Sequence, residues 1–201
     1  MKRNDDKIWR IIRSAKRLTH RQGYHQTTLA NIAEHSEVSI GNIYYFNTKK
    51  QIVNAIIDEQ TDRFIERSQQ WEKDPDPKKQ TLFFPWSTPT IEKVIAKYGC
   101  AVGSLLQELN KASEVETDIA NKTILAQIDW VTEQFRLMGK DNVHELAHHF
   151  IATIQGSCLL ANSMKNHEML HLQLKRLKKA LDKGEISIWY FFWTYRRQTK
   201  Q

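Results

Sequence analysis

The sequence predicts an all-α protein, on three observations. Apolar residues recur at three- and four-residue intervals along most of the chain, as helices with one buried face require. The strongest helix breakers are few and clustered: the chain has four prolines, all between Pro75 and Pro89, and seven glycines. The one segment rich in strand formers, Ile186 to Trp193, stands at the end. With 201 residues and 40% hydrophobic composition, the chain is large enough for one or two packed units with a real core.

The elements follow in order. A first helix is predicted over Asp5 to Gln22, with Ile8, Ile11, Ile12, Ala15 and Leu18 on one stripe. Asp5 and Asp6 suit its positive N-terminal dipole, and Gly23 supplies a left-handed stop, after which Tyr24 anchors the turn. Thr27 or Thr28 caps a second helix that ends near Ser36, with Leu29, Ile32 and Ala33 inward. Ser39 caps a third. Thr48 and Gln51 have the spacing of a capping box for a fourth, long helix running to about Glu72. The proline window from Asp74 to Pro89 interrupts regular structure, although Leu82, Phe83, Phe84 and Trp86 mark it as packed. Helical spacing resumes over Thr90–Tyr98, Gly103–Asn110, Glu114–Met138, Asn142–Lys165 and His167–Lys183. The last two stripes include Phe150, Ile154 and Cys158, then Leu170, Leu174 and Leu177.

The stretch Ser39-Ile40-Gly41-Asn42-Ile43-Tyr44-Tyr45-Phe46, followed by Thr48-Lys49-Lys50, is the most informative. It follows the second helix with only Glu37 and Val38 between, the layout of a helix-turn-helix. Charge agrees. Residues 1–50 carry ten Lys or Arg against four Asp or Glu, a net +6 of the whole chain's +7. A basic end on an otherwise balanced chain points to a polyanion partner there. Helix N-termini and basic flanks contact phosphate, and the early residues of a recognition helix contact bases. The candidate DNA-binding residues are therefore Thr27, Thr28, Ser39, Ile40, Gly41, Asn42, Tyr44, Tyr45, Lys49 and Lys50.

Other functions find less support. Cys100 and Cys158 are too few for a disulfide framework and form no C-x-x-C pair. The charged N-terminus has no apolar signal core, and no apolar run approaches the roughly 20 residues needed to cross a bilayer, so a cytoplasmic protein is expected. His144-Glu145-Leu146-Ala147-His148 reads H-E-x-x-H, which on a helix can bind zinc. A zinc-dependent hydrolase is thus the enzyme alternative, with Glu168 the one tempting third ligand. No metal site, cofactor or catalytic residue is assigned, and no enzyme activity is expected.

The first fifty-odd residues resemble the DNA-binding domain of TetR/AcrR-family transcriptional regulators. Gly23-Tyr24, Thr27-Thr28, Ile32-Ala33, Val38-Ser39, Gly41, Tyr44, Phe46 and Lys49 or Lys50 carry the resemblance. It continues in Tyr98 to Leu105, Gln107-Glu108-Leu109, Gln134 to Gly139, Ile154-Gln155-Gly156 and Leu159-Leu160-Ala161. Two departures stand out: Glu37 replaces the family's turn glycine, and the stretch between Tyr44 and Ile52 is one residue short, leaving open which lysine meets phosphate.

The resemblance implies a DNA-binding domain over residues 1–48 and a helical regulatory and dimerisation domain over residues 49–183. The aromatic-rich tail 184–201 matches neither. It further implies a homodimer that represses from a palindromic operator and is released by a small-molecule inducer. A pocket would involve Phe84, Tyr98, Cys100, Trp130 and Phe135; the dimer interface would use Phe150, Ile154, Cys158, Leu170, Leu174 and Leu177. A DNA-binding architectural or division-control protein without an inducer is the other alternative.

Overall fold

The computed structural model describes residues 2–43, 46, 48–84, 88–112 and 117–184. Tyr44, Tyr45, Trp86, Glu114 and the tail beyond Gly184 lie outside the described residues. The fold is all-α. The described helices are α1 (Lys2–Gln22), α2 (Leu29–Ser36), α3 (Ile40–Ile43), α4 (Lys49–Trp71), α5 (Pro77–Phe83), α6 (Pro89–Tyr98), α7 (Ala101–Ala112), α8 (Thr117–Leu137), α9 (Val143–Ser163) and α10 (His167–Asp182). None of them is long and apolar enough to cross a membrane.

The helix α5 lies inside the proline window, where the sequence predicted an interruption. Pro77 sits in its first turn, and the Asp76 side chain accepts from the Lys78 backbone N–H at 2.9 Å. A proline at that position loses no helical hydrogen bond, so it starts a helix here instead of breaking one.

Packing divides the chain into two compact units that interleave in sequence: Met1–Phe64 with Tyr98–Leu125, and Ile65–Lys97 with Ala126–Gln201. In the first, Ile11, Tyr24, Ile32, Ile43, Ile52 and Ile56 are at most 1% exposed and share one core with Leu105 and Leu109 of α7. Burying each such aliphatic side chain contributes about 1.5–3 kcal/mol. Polar cross-links add to it. Glu59 pairs with both Lys16 and Arg63, and the Thr61 and Thr123 hydroxyls meet at 2.9 Å. Lys122 pairs with Asp58; that hydrogen bond, more than the nearby Asp62, holds its ammonium above the ordinary lysine range, with burial opposing.

In the second unit the core is aromatic. Trp71, Phe84 and Trp130 meet one another at ring-centroid distances of 5.3–6.1 Å, and Phe84 and Phe135 each contact Phe150 at 6.1 Å. The Trp130 indole N–H donates to Glu72 Oε1 at 2.7 Å, so the large ring is buried without an orphaned donor. In the same unit α9 and α10 pack on each other, and Phe150, Ile154, Cys158, Leu170, Leu174 and Leu177 are all buried.

Candidate nucleic-acid interface

The first compact unit places α2 and α3 in succession, and each join has a local cause. Thr28 is the N-cap of α2. Its hydroxyl accepts from the Asn31 backbone at 3.1 Å, and Asn31 Oδ1 accepts from the Thr28 backbone at 3.2 Å. This reciprocal box satisfies two otherwise orphaned donors. At the other end Glu37 adopts φ 53 and ψ 36, the left-handed conformation, and donates its N–H to Ala33 and Glu34 carbonyls. The position that the sequence marked as unusual for lacking glycine is therefore left-handed despite its side chain. Arg10 braces it, reaching Glu37 Oε2 at 3.2 Å and the Glu37 carbonyl at 3.3 Å. Val38, 6% exposed, then pins the turn to the core.

Helix α3 is short in the described residues and divides sharply by face. Ile43 is fully buried, while Ser39, Ile40, Gly41 and Asn42 are exposed. A Cβ built on Gly41 would meet nothing within 4 Å, so the chain's own packing does not demand glycine there. Asn42 Nδ2 donates to the Ser39 hydroxyl at 2.6 Å. That hydroxyl, expected to cap the helix backbone, is thus engaged by a side chain. The second Nδ2 hydrogen and Oδ1 still suffice for a bidentate contact with an adenine edge.

The two lysines separate. Lys49 Nζ donates to the Tyr24 carbonyl at 2.5 Å and lies 3.9 Å from the centre of the Tyr24 ring, so it is turned inward. Lys50, half-buried, has no hydrogen-bond or ion-pair partner among the described residues. Thr27 is corrected outright: it is 1% exposed and donates its hydroxyl to the Gly23 carbonyl at 2.8 Å, so it holds the turn and presents no side chain to an external phosphate. Thr28 is exposed.

The residues expected around a pocket are divided between the two units. Phe84, Trp130 and Phe135 belong to the aromatic core of the second unit, whereas Tyr98 and Cys100 belong to the first. There the Tyr98 ring meets His20 at 5.9 Å with the Arg21 guanidinium at 5.6 Å, and Cys100 Sγ accepts from the Gly103 N–H at 3.5 Å. The six residues expected at a dimer interface are buried inside the single chain. The large apolar residues that α9 and the turn after it, with α10, leave exposed are instead Leu159, Leu160, Met164 and Leu172. His144, Glu145 and His148 are exposed, and His148 Nδ1–H donates to the His144 carbonyl at 2.6 Å. Among the described residues no group of three or more His, Cys, Asp or Glu is placed to hold a metal ion. Arg10 and Glu108 escaped the sequence reading as site-supporting residues, because their partners lie 27 and 84 positions away.

A capped helix, a left-handed turn and a short helix with an exposed polar face, on the basic end of the chain, define a helix-turn-helix DNA-binding protein. Residues 11–56 match the family of bacterial regulatory proteins called tetR. Residues 11–56 thus carry the DNA-binding segment of the TetR family of transcriptional regulators. It is 27% identical over 195 residues to an HTH-type transcriptional regulator of Lactococcus lactis subsp. lactis, covering 87% of this chain and 92% of that one. A TetR-family regulator from Agrobacterium tumefaciens has the same fold, with a TM-score of 0.73 at 18% identity over 88% of this chain and 97% of that one. So does the transcriptional regulator FadR from Bacillus subtilis in complex with stearoyl-CoA, at a TM-score of 0.64 and 19% identity, covering 86% and 96%. These relatives are, by name, transcriptional regulators.

Proposed function

We propose that this protein is a ligand-responsive repressor that binds a palindromic DNA operator as a homodimer in the cytoplasm and leaves it when a small-molecule inducer binds. The observation that carries the reading is the helix-turn-helix itself: capped α2, left-handed Glu37 and the exposed Ser39–Asn42 face, within the segment that matches the family. DNA binding falls to residues 1–48 and the following lysines, regulation and dimerisation to the helices up to 183. Ser39, Ile40, Gly41 and Asn42 face bases; Tyr44 and Tyr45, the next candidates in the sequence, lie outside the described residues. Thr28 and Lys50 meet phosphate, while Lys49 fixes Tyr24 behind them.

The ligand-responsive part draws on FadR, whose complex with stearoyl-CoA shows a protein of this fold holding a small molecule. The aromatic core of the second unit gives an inducer apolar walls in Phe84, Trp130 and Phe135. For the dimer, the exposed Leu159, Leu160, Met164 and Leu172 are the surface that a second copy covers. Selection of bound sequences from random duplexes tests the DNA half. A two-fold symmetric consensus is expected; enrichment of no sequence, or of asymmetric sites alone, would refute it.

A further inference from the structure

We infer that Glu108, on α7, is a positioning residue for DNA binding. It holds the α1–α2 turn from which the phosphate-facing starts of α2 and α4 are set, and the inference rests on the DNA-binding reading above. The Tyr24 backbone is gripped on both sides of its Cα. Its N–H donates to Glu108 Oε2 at 2.7 Å, and its carbonyl accepts from Lys49 Nζ at 2.5 Å and from the Thr27 N–H at 3.2 Å. Thr27 adjoins the α2 cap, and Lys49 is the first residue of α4. One buried residue, Tyr24, therefore connects α7 to both helix starts. A displacement of the Glu108 carboxylate moves the anchor that they share.

The fit at Gly23 shows that the carboxylate belongs there. Gly23 has φ +89, and a Cβ built on it would lie 3.0 Å from Glu108 Oε2. The acid occupies the space that any other side chain would take. A second fastening lies at the start of α7: His20 Nε2 donates to the Gly99 carbonyl at 2.9 Å, the ring nitrogen carrying the hydrogen because a carbonyl only accepts. The end of α1 and the turn after it are thus tied at two points, to Gly99 two residues ahead of α7 and to Glu108 within it. Leu105 and Leu109, on the same helix, complete the core beneath.

The test uses the full-length protein and the duplex recovered from random-sequence selection. Affinities of wild type, E108Q and E108A are compared at a temperature where each is folded, across a series of salt concentrations. E108Q keeps an acceptor for the Tyr24 N–H and is expected to bind within about twofold of wild type. E108A is expected to bind about five- to tenfold more weakly, the scale of a modest coupling between sites. Its salt dependence should also be shallower by about one phosphate contact, which simple destabilisation would not produce. Wild-type affinity in E108A would overturn the inference, as would equal weakening in E108Q and E108A. If E108A does not fold, E108D, with its carboxylate drawn back by one methylene, takes its place: weakened binding supports the role and wild-type binding overturns it. Failure of the wild type to bind any duplex would instead overturn the DNA-binding reading.

Discussion

Replacing Glu37 by glycine should stabilise the protein, although it deletes an ion pair. Glu37 is held at φ 53 and ψ 36, where an L-residue is strained by about 1–2 kcal/mol. Glycine removes most of that strain but returns about 0.4–1 kcal/mol through the greater entropy of the unfolded chain. The pair with Arg10 is weak, because the two side chains are 41% and 87% exposed, and such pairs contribute about 0.2–1 kcal/mol. Arg10 also keeps its bond to the residue 37 carbonyl in the glycine variant. The net expectation is about 0.5 kcal/mol of added stability for E37G. E37A is the sharper comparison, since alanine keeps the strain and loses the pair. E37G should exceed E37A by about 0.8 kcal/mol, a melting difference of roughly 2–3 °C for a chain of this size. Equilibrium urea unfolding followed by circular dichroism supplies the ranking. A glycine variant no more stable than the alanine variant would mean that the turn is not left-handed in solution.

Other outcomes follow from the same contacts. Gly23→Ala should lose about 1–2 kcal/mol in the same assay, because it meets both the positive φ and the Glu108 carboxylate; a neutral result would contradict the α1–α2 turn geometry. Lys49→Met should destabilise by about 1–2 kcal/mol through loss of the Tyr24 carbonyl and ring contacts, whereas Lys50→Met should stay within about 0.5 kcal/mol of wild type. Equal effects on unfolding would erase the distinction between the lysines. Charged replacements at exposed Leu159 and Leu160 should leave the fold intact and shift sedimentation toward the monomer; an unchanged sedimentation coefficient would remove these residues from the dimer surface.

The helices were legible because each buries one stripe, and a stripe is a local property. Ile8, Ile11, Ile12 and Ala15 specify α1 without reference to any other element. Thr28 and Asn31 define the α2 start just as locally. The proline window hides α5 because proline breaks a helix interior but suits its first turn, and at Pro77 the capping Asp76 decides which applies. Periodicity also cannot tell whose surface covers a stripe. Phe150, Ile154 and Cys158 form the strongest stripe of α9, and the chain's own packing claims it, leaving the fainter Leu159–Leu160 edge outside. The separate fates of Lys49 and Lys50 depend on where Tyr24 lies in space, and the role of Glu108 depends on the same residue. No local pattern encodes either contact.

Salt dependence of DNA affinity tests the central claim most directly, because phosphate contact releases counterions whatever the operator sequence. For wild type, log affinity should fall linearly with log salt, by a slope of about −0.9 per phosphate contacted, and Lys50→Ala should make that slope shallower by about one contact. Affinity indifferent to salt, or a Lys50→Ala slope identical to wild type, would contradict the placement of DNA against α3 and the start of α4.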